Sequence, residues 1–423
     1  MRANLPIPSW SPPIRALWSL ASRDHSSPAA RSARPMSPPT IKHFLGDGGT
    51  EGGRDEGNTL ASERALIATH AQNYPAGIDA GALTAMVSFS SWNGFKNHGN
   101  HSLVTDVLKG RMGFRGLVLG DWNAHGQFDG CTVTHCPRTY NAGLDLVLAP
   151  DSWKPLFDNT LADVRAGLIP IARIDDAVRR VLRVKAKLGL LDGRAIRTEP
   201  SAIRSDAYRA LAREAVAKSL VLLKNEGKTL PIRPGAHVLI SGDAADDMAR
   251  QAGGWTITGQ GTDTAKRDFP KGQTILDGLT QAIAAARGTA DYAADGQARG
   301  KPDVAIVVIG ERPYAEFQGD VPTLAYQPRD QGDLALVQRV KAAGISVVTV
   351  FLSGRPLFTN AIVIASDAFV VAWLPGSDGG ALPMWWSPAA RARRAISRER
   401  CPSRGLLTPT RPSRRRYLPA GMA

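Results

Sequence analysis

Two carboxylates, a Lys-His pair and an indole carry the chemistry this sequence offers. Asp121 closes a short apolar run, Gly116-Leu117-Val118-Leu119-Gly120, and Trp122 follows it. Such a run reads as a buried strand, with the carboxylate at its C-terminal tip, the end at which barrel enzymes carry their chemistry. There the carboxylate can attack or stabilise an anomeric carbon, and the indole offers an apolar face to a sugar ring. Taken alone, a strand-end Asp serves as readily to start a turn. Glu316 lies in a second polar stretch, Gly310-Glu311-Arg312-Pro313-Tyr314-Ala315-Glu316-Phe317-Gln318-Gly319-Asp320, after the apolar run Val307-Val308-Ile309. Flanked by Ala315 and Phe317, it is open to partial desolvation, which raises a carboxyl pKa and suits a general acid; the plainer alternative is a solvated loop Glu. A retaining glycosidase holds its two carboxyls about 5–5.5 Å apart, and the sequence permits Asp121 and Glu316 to meet across an interdomain cleft. Lys42-His43 precedes the glycine-rich Gly46-Asp47-Gly48-Gly49-Thr50. The loop lacks the Gly-Lys-Ser/Thr of a phosphate cradle, so it reads as a turn carrying side chains over a cleft. On its own the Lys-His pair reads as structural.

The elements that must position these groups alternate in type. The first block opens at Ile41 with a strand tip, followed by a helix over 61–70 and a strand from Leu83 to Phe89. Leu103, Val104, Val107 and Leu108 share one helical face, and Gly110 and Gly113 break that helix ahead of the central strand. A strand over Leu144 to Leu148, a helix over 156–166 and an amphipathic helix marked by Ile174, Ala177, Val178, Val181, Leu182 and Leu188 complete the block. This rhythm predicts a parallel sheet, open or closed. Residues 189–204 read as a linker, and 205–223 as helix. A second block follows, with strands over His237–Ser241, Asp303–Ile309, Ser346–Leu352 and Ala368–Leu374 and helices at about 274–287 and 334–343. Its Val/Ile/Leu runs predict strands covered on both faces, in a doubly wound α/β domain. The expected organisation is a non-matching segment over 1–40, part of a barrel over 41–204, an α/β sandwich over 205–381 and an Arg/Pro-rich tail over 382–423.

Composition narrows the function classes. The chain has 423 residues and a formal net charge of +14. Residues 1–40 hold five Arg and one Asp, and residues 381–423 ten Arg and one Glu, so the residues between them carry only +1. A nucleic-acid binder would rest on those two tails alone, and no nucleic-acid partner is expected for the body. The tails hold every one of their basic charges as Arg and fourteen of the 29 prolines. That bias is expected of GC-rich DNA read in the wrong frame; a basic arm is the alternative. No apolar run reaches the roughly 18 residues of a membrane span. The start is broken by Pro6, Pro8, Pro12 and Pro13 and shows no signal peptide. Cys131 and Cys136 have no His or Cys partner at metal spacing, so no metal is expected. They are open to a small loop disulfide or to remaining free thiols.

The body resembles glycoside hydrolase family 3, close to its exo-acting β-glucosidases and β-glucan exohydrolases. The blocks that carry the resemblance are Lys42-His43-Phe44 with Gly46-Asp47-Gly48-Gly49-Thr50, Ser88-Phe89-Ser90-Ser91-Trp92-Asn93-Gly94, and Gly113-Phe114-Arg115-Gly116 through Asp121-Trp122. They continue in Asn141-Ala142-Gly143-Leu144-Asp145, Ser219 through Asn225, Gly253-Gly254-Trp255-Thr256, Gly310-Glu311 to Asp320, Ser353-Gly354-Arg355-Pro356 and Ala372-Trp373-Leu374-Pro375-Gly376. The resemblance implies a (β/α)₈ TIM-type barrel, here partial, followed by an incomplete α/β sandwich with a mostly parallel sheet. It implies a β-glucoside or β-glucan oligosaccharide as substrate and no cofactor. Asp121 matches the family's nucleophile and Glu316 its acid/base. Lys42 and His43 match the pair that hydrogen-bonds sugar hydroxyls, Trp122 lines the glucose site, and Trp255 matches an aromatic against the next sugar ring. A β-xylosidase of the same family and a non-catalytic carbohydrate-binding remnant are the alternatives. Relatives in the family are often periplasmic or extracellular.

Two departures stand out. Gly120 occupies the position before the nucleophile, often Ser in the family. The family's barrel also has roughly as much chain again before the Lys-His-Phe block, including an Asp and an Arg that grip the sugar, so the chain is expected to be truncated at both ends. A part barrel leaves backbone groups unpaired at its open edges, and the expectation is poor stability or lost activity.

Overall fold

The computed structural model describes residues 39–191, 205–327 and 329–385. They fall into two compact units: the first holds the described residues up to 191 together with Glu316–Pro322, the second those from 205 to Ala315 and from Thr323 onward. Most of the expected tails and most of the expected linker lie outside the described residues.

The first unit is built on a four-stranded, all-parallel sheet. Its strands in chain order are β1 (Thr40–Phe44), β2 (Asn58–Thr59), β3 (Thr84–Val87), β4 (Ser91–Trp92), β5 (Phe95–Lys96), β6 (Leu117–Trp122) and β7 (Leu146–Leu148). The main sheet runs β1-β3-β6-β7, and the short β2, β4 and β5, from the segments after β1 and β3, form a separate three-stranded sheet. Four parallel strands are half of those in a closed eight-stranded barrel. Period-two burial along β3 and β6 sends Ala85, Val87 and Val118 into a core shared with Phe44, Leu66, Tyr74, Leu103, Val104, Leu108 and Leu144. Gly116 enters β6 so close to β3 that a Cβ would lie 2.2 Å from the Leu83 carbonyl oxygen.

A buried charge cluster fixes β6 from beneath. The Asp145 carboxylate accepts from the Val118 backbone N–H at 2.8 Å, from Lys109 Nζ at 2.7 Å and from Arg173. Arg180 donates to the Phe114 and Gly116 carbonyls at 2.9 Å each. One carboxylate thus joins the strand to the helix Ser102–Arg111 and to the helix Ile171–Lys187. That second helix carries the expected amphipathic stripe, but Val178 and Leu182 on it stay half exposed among the described residues. Cys131 and Cys136 are joined as a disulfide, which resolves the alternative left open by the sequence.

In the second unit, six strands form one sheet: β8 (Val221–Asn225), β9 (His237–Ser241), β10 (Thr289–Tyr292), β11 (Val304–Gly310), β12 (Ser346–Leu352) and β13 (Ala368–Trp373). Their order is β10-β9-β11-β12-β13-β8, parallel except for β8 against β13. All seven residues of β11 are buried. Ile306 and Val308 face one core and Ala305, Val307 and Ile309 the other, as expected of a sheet covered on both faces.

Two local expectations are corrected, and one strand was not foreseen. The helix read over 205–223 ends at Ser219, and Val221–Asn225 becomes β8. A short apolar run cannot be told from a buried helix segment by periodicity, and here pairing with β13 decides it. The strand β10, with the mixed composition Thr-Ala-Asp-Tyr, gave no periodic sign. The patterning expected to stop at 381 runs on into a helical turn, Gly379–Trp385, with Leu382 only 2% exposed in the core.

Candidate active site

Two strands of the first unit, one on each side of β3, deliver most of the expected site. β1 carries Lys42 and His43, and β6 carries Asp121 and Trp122; both strands flank β3. Asp121 lies inside β6, with Trp122 as the final strand residue rather than the first residue beyond it. His43 stands between two carboxylates: its Nδ1 lies 3.4 Å from Asp47 Oδ2 and its Nε2 3.7 Å from Asp121 Oδ2. The hydrogen bond from His43 holds the Asp47 carboxyl below the usual carboxylate range, against the opposing effect of burial, and the charge on Lys42 adds to the lowering. Ser88, fully buried, approaches Asp47 Oδ1 at 3.5 Å. A carboxylate so held orients the imidazole and keeps its second nitrogen towards Asp121.

The Asp121 carboxylate is fixed on its other side by its own backbone. Oδ1 accepts from the Trp122 N–H at 2.7 Å, while the Asp121 N–H donates to His98 Nε2 at 2.8 Å. Trp122 is 60% exposed, so its indole face is open.

Glu316 lies in the seven-residue stretch that packs with the first unit although the chain enters it from the second. Burial raises its carboxyl pKa, and the charges of Asp55 and then Asp121 raise it further; His43 and Lys42 pull the other way. Asp121, His43 and Lys42 therefore all act electrostatically on Glu316, as a shared site requires. The stretch is tied down by the Asp55 N–H, which donates to Asp320 Oδ2 at 3.0 Å. Asp55 is itself raised, mainly by burial.

Trp255 belongs to the second unit. It is 70% exposed in a tight turn, its N–H donating to the Gly259 carbonyl at 2.7 Å. The adjacent Gly254 packs so closely that a Cβ would lie 2.0 Å from the Tyr314 carbonyl oxygen. The segment leading to Glu316 is braced there: Glu311 accepts from Ser353 Oγ at 2.6 Å and from Arg355 Nε and Nη2 at 3.1 and 3.0 Å, and the Arg355 guanidinium lies 4.0 Å over the Tyr314 ring. The Ala315 N–H donates to Gln260 Oε1 at 2.7 Å. A cavity of ≈ 240 Å³ elsewhere in this unit, lined by residues such as Tyr208, Phe269 and Asp378, contains none of the expected site residues.

Residues 33–184 match the profile of the glycosyl hydrolase family 3 N-terminal domain, and residues 220–384 that of the family's C-terminal domain. The chain belongs to glycosyl hydrolase family 3. Among proteins of known structure, an exo-1,3/1,4-beta-glucanase (ExoP) from a Pseudoalteromonas species, solved as a single-site mutant, is similar over 82% of this chain and 57% of its own, at 46% identity and a TM-score of 0.80. A lysosomal beta glucosidase of Dictyostelium discoideum is 30% identical over 375 residues, 81% of this chain and 44% of the relative. A periplasmic beta-glucosidase of Salmonella typhimurium is 28% identical over 380 residues, 81% of this chain and 49% of the relative. The chain thus spans about half the length of the curated relatives it matches.

Sequence reasoning missed two contributors to this candidate site: Asp47 as the partner of His43, and His98 as the acceptor of the Asp121 N–H. Asp47 falls in the Gly46–Thr50 motif, four residues from His43, and only the fold closes that gap. His98 is 23 residues from Asp121 and carries no spacing signal. Among the described residues, no group of His, Cys, Asp and Glu could hold a metal ion, and no helix is long and apolar enough to cross a membrane.

Proposed function

We propose that this chain carries the catalytic pair of an exo-acting retaining β-glucosidase, releasing glucose from the non-reducing end of β-glucosides or β-glucans. The observation that carries the reading is the unequal pair of carboxyls in one unit: Glu316 raised by burial and by the negative charges of Asp55 and Asp121, and Asp121 fixed by the Trp122 N–H and faced by His43. A carboxyl raised by its surroundings is suited to act as the acid.

In the first step Asp121 attacks the anomeric carbon while Glu316 gives its proton to the departing glycosidic oxygen, so the sugar–oxygen bond breaks as the sugar–carboxylate bond forms. Forming the ester cancels the Asp121 charge. One of the influences that raise Glu316 then disappears, its pKa falls, and it becomes ready to take a proton from the water that cleaves the ester. Lys42 and His43 donate to sugar hydroxyls, and Trp122 stacks on the ring in the site. The named activities of the Pseudoalteromonas, Dictyostelium and Salmonella relatives support a β-glucosidic substrate. The periplasmic relative supports export of this chain as well.

Hydrolysis of an aryl β-glucoside by the purified chain tests the reading, beside an aryl β-xyloside and an Asp121→Asn control. Glucose release lowered by at least about 10³-fold in the control is expected, because the nucleophile has no substitute. Equal rates for the chain and the control would overturn it.

A further inference from the structure

We propose that His98 is a positioning residue for the nucleophile: its buried imidazole accepts the Asp121 backbone N–H and so fixes where the Asp121 carboxylate stands. The proposal rests on the reading of Asp121 as the nucleophile.

The bond is 2.8 Å long, from the Asp121 nitrogen to His98 Nε2. For Nε2 to accept, it must lack a proton, and the ring must be neutral. The surroundings enforce that state: His98 is 1% exposed, and burial, reinforced by the neighbouring His125, pushes its pKa down to about 3. The proton then sits on Nδ1, which faces the backbone of Ser88 without completing a well-formed hydrogen bond. The imidazole here therefore stays a neutral acceptor well below the ordinary histidine range.

Its position is fixed in turn from three sides. The His98 carbonyl accepts from Thr139 Oγ1 at 3.1 Å, on the helix Pro137–Ala142. Asn97 beside it donates to the Leu45 carbonyl at 3.0 Å, just past the end of β1. The ring lies against β6 itself, where a Cβ on Gly120 would come within 3.2 Å of His98 Cδ2 and 3.0 Å of Leu144. The turn Asn97–Gly99 thus joins the end of β1, which carries His43, to the tip of β6, which carries Asp121. A side chain at Gly120, the residue before Asp121, would therefore have to push Leu144 or the imidazole aside by a few tenths of an ångström.

An amide at a strand tip beyond its regular ladder would otherwise exchange freely. Hydrogen–deuterium exchange resolved to single residues should find the Asp121 amide of the wild-type chain protected; exchange at the unprotected rate would overturn the proposal without any variant. In His98→Phe, which keeps a flat ring but no acceptor, that amide should exchange at least about tenfold faster. His98→Gln, whose Oε1 can take the place of Nε2, should restore protection. The functional arm is covalent labelling of Asp121 by a 2-deoxy-2-fluoro-β-glucoside. His98→Phe should lower the maximal labelling rate about tenfold or more, with the half-saturating concentration changed by less than about threefold, and His98→Gln should recover the rate. A glutamine variant as slow as the phenylalanine variant, or a loss confined to half-saturation, would refute positioning. If the wild-type chain takes no label at all, the catalytic reading has failed, and the exchange measurements still decide the role of His98.

Discussion

Removing the Asp145 side chain should unfold the first unit under conditions that leave the second intact. Its carboxylate has no solvent exposure, yet it accepts from Lys109 and Arg173, whose side chains are 7% and 14% exposed, and from the Val118 N–H of β6. In Asp145→Ala the two cations keep Asp176, which is 40% exposed, as their carboxylate, Arg173 still donates to the Tyr140 and Leu144 carbonyls, and the Val118 N–H loses the Asp145 carboxylate. Breaking a buried pair from one side costs about 3–5 kcal/mol, because the remaining charge stays buried. Against a net domain stability of about 5–15 kcal/mol, that is a large fraction. The two units need not unfold together, so a single transition is the wrong observable. Urea titration followed by hydrogen exchange in separate peptides reads each unit by itself. Peptides spanning β6 should lose protection at clearly lower urea in the variant, and those spanning β11 should not. A second variant isolates the cause: Asp145→Leu with Lys109→Met removes both charges and should recover part of the loss. A shift in β6 below about 1 kcal/mol, or a double variant worse than the single, would refute the account of the cluster.

Other outcomes follow from the same structure. Burial disfavours ionised Asp176, but Lys109 and Arg180 outweigh it and bring its pKa from 3.8 to about 2. A depressed folded pKa gives stability that is complete above about pH 4 and lost as pH falls towards 2, so Asp176→Asn should flatten acid unfolding of the first unit in that window. Asp55→Asn removes the first-ranking charge that raises Glu316. The basic limb of the kcat/KM profile for an aryl β-glucoside, where Glu316 loses its proton, should therefore move to lower pH; a limb that stays or rises would refute the assignment. Gly116→Ala sets a methyl 2.2 Å from the Leu83 carbonyl oxygen, backbone against backbone, and should destabilise the first unit by about 1–3 kcal/mol in urea titration.

Much of the candidate site was legible because its residues sit in local words of the sequence. Asp121-Trp122 after an apolar run, Lys42-His43 before a glycine-rich loop and Glu316 between apolar neighbours each announce themselves within a few residues. The strands β9, β11, β12 and β13 were equally plain, since burial on both faces demands continuous Val/Ile/Leu runs. β8 and β10 were not, because an edge strand takes its identity from the neighbour it pairs with, and neither its length nor its composition separates it from helix or loop.

The sequence by itself determined the family, the alternation of strand and helix and the residue types available for chemistry, all of which depend on periodicity and short motifs. Tertiary structure alone decided that His43 stands between Asp47 and Asp121, that Asp55 acts on Glu316, that Cys131 pairs with Cys136 and that His98 receives the Asp121 amide. Each of these is a relation between residues brought together by the sheet or by a loop closing on itself, and no spacing along the chain announces it.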